Sequence, residues 1–181
     1  MKNVITGGLI LAISSLVGMI IGLKVIRVSE KLSDSVTAFA AGAMLATATF
    51  GLIAEALELT GAVTVTAAIM LGMAFIIFSA HLAHRLQDKT DLLKDNRMQK
   101  VMLFVLSVAI HHFPEGLATG ISYKTQNIVS AFSLAGGIAL HNLPEAMIIV
   151  IMLLEAGMER KKTVMISLSM VAVQFVSTLS G

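Results

Sequence analysis

Residues 127–154 read NIVSAFSLAGGIALHNLPEAMIIVIMLL, an apolar run whose strongly polar interior is confined to His141, Asn142 and Glu145. A helix needs roughly 20 such residues to cross the hydrocarbon core of a bilayer. The stretch is therefore long enough to span, and its polar cluster would lie deep in lipid. The same cluster occurs earlier as His111-His112-Phe113-Pro114-Glu115-Gly116, and the chain's two prolines, Pro114 and Pro144, hold the same place in both copies. Imidazole and carboxylate are costly in a membrane interior and require an internal partner; a divalent metal ion suits both at once. The two copies together imply a membrane bundle that handles a metal ion.

Composition supports the class. Hydrophobic residues make up 56% of the 181-residue chain, charged residues 13%, and the mean hydropathy is +0.89. That is more apolar side chain than a soluble domain of this size hides. The expected fold is all-α, a polytopic transmembrane bundle of about six helices, near 3–23, 36–58, 62–84, 100–122, 127–154 and 163–181. These form a single transmembrane domain, 1–181, with a loop at 85–99 too short to be a domain. Basic residues alternate along the connections: Lys24, Arg27 and Lys31; then Arg85, Lys89, Lys94, Arg97 and Lys100; then Arg160, Lys161 and Lys162. The other connections hold only Lys124. Positive residues favour the cytoplasmic side, so the 85–99 loop is read as cytoplasmic, the N-terminus as extracytoplasmic, and the protein as multi-pass in a cell membrane. The run after Lys2 continues to Leu23 with no small-residue cleavage site, which reads as a first span rather than a signal peptide. Net charge is +2, but the basic residues are scattered over short loops and present no nucleic-acid face. With no cysteine, metal ligation is left to nitrogen, oxygen and thioether sulfur.

His111 and Glu115 are four residues apart, as are His141 and Glu145, so each helix carries imidazole and carboxylate on one face. Each pair is half of a site. His112 and Asn142 precede the glutamates by three and leave room for a second ion sharing the carboxylates. Proline adds backbone oxygens: Pro114 cannot donate to the carbonyl of Ile110, nor Pro144 to that of Leu140. Two carboxylates in one dry site either hold a proton or need a cation between them, and protons compete for the same ligands. The plainer reading, interhelical glue, suits a single buried histidine or glutamate better than two matched copies. No His-Glu-x-x-His pattern and no nucleophile elbow is present, so no enzyme is expected.

His111 to Gly116 followed by Leu117-Ala118-Thr119-Gly120, together with His141 to Ala146, resemble the paired fourth and fifth helices of the ZIP family of divalent-metal transporters. The stretch Phe39-Ala-Ala-Gly-Ala-Met-Leu-Ala-Thr-Ala-Thr-Phe50 resembles that family's second helix, although Ala54 stands where the family often has proline before the position of Glu55. The resemblance implies a Zn2+-preferring importer, with relatives that accept Fe2+, Mn2+, Co2+ or Cd2+, and a binuclear site midway across the membrane. By that resemblance His111, Glu115, His141 and Glu145 form the main site, to which Met44 lends a thioether. His112 and Asn142 join the two glutamates at the second. Family members usually have eight spans, so a chain ending at Gly181 is expected to be a fragment. Two alternatives stay open: a haem-binding electron carrier using His111 and His141 as axial ligands, and a metal-binding membrane subunit that does not transport. A homodimer is also left open.

Several other residues carry weaker expectations. Glu55 and Glu58 would attract cations to an outer entrance, or else be solvated caps. His81 and His84, beside Asp88, Asp91 and Asp95, would meet exiting metal, or else be wet surface groups. Small residues Ala40, Ala41, Gly42, Ala43 and Ala46 are expected to let the second span approach the fourth and fifth closely. Gly136 and Gly137 would act similarly before the second motif. Gln174, a buried amide, is read as glue in preference to a group that reaches the site.

Overall fold

The structure, a computed structural model, describes residues 2–25, 29–88, 96–125 and 127–181. It consists of helices α1 (Lys2–Lys24), α2 (Glu30–Ala46), a π-helical stretch (Thr47–Ile53), α3 (Ala54–Thr60), α4 (Ala62–Asp88), α5 (Asn96–Thr125), α6 (Ile128–Glu155) and α7 (Arg160–Ser180). The α2, π and α3 segments follow one another without a break, giving six rods. Among the described residues, five stretches are long and apolar enough to cross a membrane: Lys2–Lys24, Asp34–Thr60, Arg97–Thr125, Ile128–Glu155 and Arg160–Ser180. The apolar part of α4, Ala62–Phe78, is shorter. The chain is a transmembrane helical bundle, as the apolar runs indicate.

Most rods extend beyond their apolar runs because helical hydrogen bonding continues past the hydrocarbon into polar sequence. The Ser29 hydroxyl accepts from the Leu32 N–H at 3.3 Å and opens α2. The Asn127 side chain accepts from the Ser130 N–H at 2.9 Å and opens α6. Such caps satisfy N–H groups that a helix's first turn leaves unpaired. Tight turns follow α3 and α6 at Gly61 and Gly157, whose φ values of 81° and 88° suit glycine. The π stretch has no counterpart in the expected helix 36–58; hydropathy averages over a turn and is blind to an added residue in it.

The core is organised around α6, which packs on α1, α2, α5 and α7. Val101, Val105 and Val108 of α5 meet Ile149 and Leu153 of α6 and Met170 of α7. Leu11 of α1 meets Leu134 and Ile138 of α6. In lipid the hydrophobic effect gives helices little reason to associate, so close van der Waals packing must do it. Glycines permit that approach here. A Cβ on Gly18 of α1 would stand 2.1 Å from the carbonyl oxygen of Leu143, and one on Gly120 of α5 would stand 2.1 Å from that of Thr178. The Ser14 hydroxyl adds a hydrogen bond to the carbonyl of Ala139 across the α1–α6 seam.

The span expected to carry the small-residue seam, α2, does contact α6, but the close approach through glycine is found on α1. Gly42 has nothing within 4 Å of the place its Cβ would take. Gly137 does meet the π stretch, its Cβ position lying 2.4 Å from Thr47 Oγ1, but Gly136 meets nothing. Among the described side chains none of α2, the π stretch or α3 is buried, and on α4 only Val65 is. At one end of the bundle, Arg97 donates to Glu155 at 3.0 Å, and Arg160 donates to the carbonyl of Leu23 at 3.0 Å. These contacts tie α5 to α6 and α7 to α1.

Candidate metal centre

The two motifs face each other across the α5–α6 contact, and the pairing is reciprocal. Glu145 of α6 is held between two imidazoles of α5: His111 Nε2 lies 3.2 Å from Oε1 and His112 Nε2 lies 3.1 Å from Oε2. Glu115 of α5 is met by His141 of α6, whose Nε2 lies 3.0 Å from Oε1. Its other oxygen accepts from Gln174 Nε2 of α7 at 3.1 Å. Gln174 Oε1 in turn accepts from Asn142 Nδ2 at 2.9 Å. Ligand atoms of His111, His112 and Glu115 all lie within 4.8 Å of one another.

This grouping differs from the one expected by spacing within each helix. Imidazole and carboxylate do share a face one turn apart, but the rings reach across to the facing helix. His112 joins His111 on Glu145, and Asn142 turns to Gln174. Sequence pattern shows which face a residue occupies; the choice of partner is made by how the two helices lie together. Gln174, read as glue, binds Glu115 directly and links three helices. A buried amide one span away from the motifs was the only signal for it.

The ring of His111 carries the sharpest chemical information. Its Nδ1 lies 3.2 Å from the carbonyl oxygen of Ser107, which can only accept, so Nδ1 carries the hydrogen. In the neutral ring Nε2 is then a bare lone pair. It lies 3.2 Å from Glu145 Oε1 but without hydrogen-bond geometry, leaving it a buried nitrogen with no partner. Two electron-rich atoms held face to face call for a cation between them, either a proton or a metal ion. Donating the second ring N–H to a backbone carbonyl is also how metal-ligating histidines are commonly oriented. Buried His112 Nδ1, His141 Nδ1 and Asn142 Oδ1 likewise have no hydrogen-bond partner.

Distances fit the same chemistry. Two ligand atoms on one tetrahedral Zn2+, each at ~2.1 Å, stand ~3.4 Å apart. The nitrogen–oxygen separations of 3.0–3.2 Å need open only slightly to admit an ion. Three imidazoles, two carboxylates and an amide form a donor set suited to a borderline divalent metal.

The remaining candidates whose positions are described sit on α2, α3 and α4. Met44 is half-buried on α2, whereas the described ion pairs and hydrogen bonds of the cluster join α5, α6 and α7. Glu55 is half-buried and lines a recess of about 370 Å³ with Thr47, Ser130 and Ser133, between the π stretch and the start of α6. Glu58 is exposed, and so is His81. The side chains of His84 and Asp88 and the whole of Asp91 and Asp95 lie outside the described residues.

A family model for the ZIP zinc transporter matches residues 79–179, a stretch that includes both motifs and Gln174. The chain belongs to the ZIP family. It is also similar to the zinc transporter ZIPB of Bordetella bronchiseptica, with 28% identity over 141 residues. That alignment covers 70% of this chain and 44% of the relative, so the chain spans less than half the relative's length. Within the ZIP match, α5 and α6 supply the two facing motifs and α7 supplies the amide that joins them.

Proposed function

We propose that this chain takes divalent metal cations, Zn2+ foremost, across a cell membrane through a binuclear centre between α5 and α6. His111, Glu115, His141 and Glu145 ligate one ion. His112 and Asn142 share the carboxylates around the second, and Met44 is the thioether assigned to the first. The reading rests above all on His111, whose Nε2 faces Glu145 Oε1 at 3.2 Å without a hydrogen-bond partner while Nδ1 meets the Ser107 carbonyl on the far side of the ring. An imidazole oriented by a backbone carbonyl, with its other nitrogen turned to a carboxylate, is poised to take a metal ion in that gap. ZIP membership and the similarity to a zinc transporter support Zn2+ as cargo. Fe2+, Mn2+, Co2+ and Cd2+ suit the same donors less selectively.

The residues suggest how loading and release proceed. With the N-terminus outside and all spans in one membrane domain, Glu55 stands in a recess toward the outer side. Its carboxylate concentrates cations there. At the centre an incoming dication replaces the direct imidazole–carboxylate contacts and satisfies both glutamates together. Protonating the ligands reverses this, because imidazole and carboxylate must be deprotonated to coordinate. No residue is assigned a catalytic role. The haem alternative fares worse: His111 and His141 each turn Nε2 to a carboxylate on the opposite helix, which suits a small cation rather than a macrocycle.

Zinc binding and radioactive zinc uptake by the full chain in proteoliposomes test the reading. Glu115→Ala combined with Glu145→Ala is expected to weaken Zn2+ binding at least 100-fold and abolish uptake. Unchanged binding would overturn the metal centre. Binding without flux in the unaltered chain would support the metal-binding subunit instead.

A further inference from the structure

The two glutamates of the centre are held differently. Both oxygens of Glu145 face imidazole nitrogens, His111 Nε2 at 3.2 Å and His112 Nε2 at 3.1 Å. Glu115 turns only one oxygen to an imidazole. Its Oε1 lies 3.0 Å from His141 Nε2, while Oε2 accepts from the Gln174 amide at 3.1 Å. An imidazole nitrogen can give up a carboxylate and take a metal ion in its place. An amide NH2 cannot, because it only donates.

Hydrogen-bond direction fixes the chain of amides behind Glu115. A carboxylate oxygen only accepts, so Gln174 must turn its NH2 group to Glu115 and its carbonyl away. That carbonyl accepts from Asn142 Nδ2 at 2.9 Å, which leaves Asn142 Oδ1, without a hydrogen-bond partner, as the end for its ligand role. Both polar ends of Gln174 are thus engaged, and neither is left to hold an ion. Packing sets its place as well. Gln174 is 1% exposed, and its backbone carbonyl accepts from the hydroxyls of Ser177 at 2.9 Å and Thr178 at 2.8 Å. Gly116, next to Glu115, lets this turn of α7 lie against α5: a Cβ there would stand 2.5 Å from the same carbonyl and collide with Ser177 Oγ.

We propose that Gln174 sets the metal preference of the centre by withholding one oxygen of Glu115. This role rests on the reading of Glu115 as a ligand, and it makes Gln174 a positioning residue that acts on the ion through that carboxylate. Turning Oε2 to an ion would strand a buried amide N–H in a dry interior and break a bond strengthened by the carboxylate's charge. Glu115 therefore coordinates through Oε1 alone, whose lone pairs suffice for either ion or both. Zn2+ is satisfied by four ligands in a tetrahedron. Mn2+ favours six, rich in oxygen, and gains most from a carboxylate that grips with both atoms. A centre that denies it the second oxygen favours Zn2+.

The test compares Zn2+ and Mn2+ binding to the full chain in lipid. In Gln174→Leu the affinity for Zn2+ relative to Mn2+ is expected to fall about tenfold, because Oε2 is released to coordinate. Equal loss of both ions would show the amide to be a packing group and overturn its role in preference. X-ray absorption at the zinc edge of the unaltered chain needs no variant to fold. It is expected to show four ligands around each Zn2+, whereas five or six would overturn the withheld oxygen. If the unaltered chain binds neither ion, the metal centre fails and this role with it. Binding with an unchanged ratio in Gln174→Leu overturns the role alone.

Discussion

The two sides of this bundle are built by different means. On one side α1, α5, α6 and α7 approach closely enough that glycine backbones touch carbonyls, as at Gly18 against Leu143 and Gly120 against Thr178. On the other, α2, the π stretch, α3 and α4 bury, among the described side chains, only Val65. The charged cluster belongs to the first side. Ionisable groups in lipid persist only where their partners are held in place, and a tight helix contact provides that rigidity. The recess carrying Glu55 lies at the junction of the two sides, between the π stretch and the start of α6.

Gly18→Leu strikes the tight side hardest. A Cβ there collides with a main-chain oxygen beside Asn142, Pro144 and Glu145. A loss of about 3 kcal/mol or more is expected, the upper part of the range for overpacked sites, because backbone cannot give way as a side chain can. Thermal unfolding in detergent would measure it. Gln174→Leu comes next, removing the hydrogen bonds to Glu115 and Asn142. A bond to a charged group is worth about 1.5–3 kcal/mol, so Tm should fall by several degrees. Binding of Zn2+ should change in the same protein, since the Glu115 carboxylate is then held by His141 alone.

Replacing Glu55 by alanine probes the junction. Without that carboxylate in the recess, uptake at low Zn2+ should fall several-fold while Tm changes little. Gly42→Leu closes the series with the smallest effect, within about 0.5 kcal/mol, because its site faces open space. If it destabilised the bundle as much as Gly18→Leu, the contrast between the sides would be lost.

Much of the architecture is legible in the chain. Apolar length locates the rods, since a bilayer imposes nearly one dimension on every span, and the repeated His-x-x-Pro-Glu pattern places imidazoles and carboxylates on facing helices. Partner choice was less accessible. That Glu145 collects both His111 and His112 depends on the rotation of α5 against α6, to which a spacing of four is indifferent. The seam on α1 was hidden for a similar reason: Gly7, Gly18 and Gly22 look no different in composition from the small residues at 40–46, and only packing separates them. The π stretch leaves no trace in hydropathy.

The two imidazoles on Glu145 differ in how well their orientation survives genetic drift. His111 is steered by a carbonyl, an atom that every amino acid at position 107 contributes, so Ser107 can be exchanged without erasing the ring's alignment. His112 has no such carbonyl behind it, and its Nδ1 is buried without a hydrogen-bond partner. The alignment of the first ring is therefore inherited with the helix itself, whereas that of the second rests on Glu145 and on the side chains packed around it.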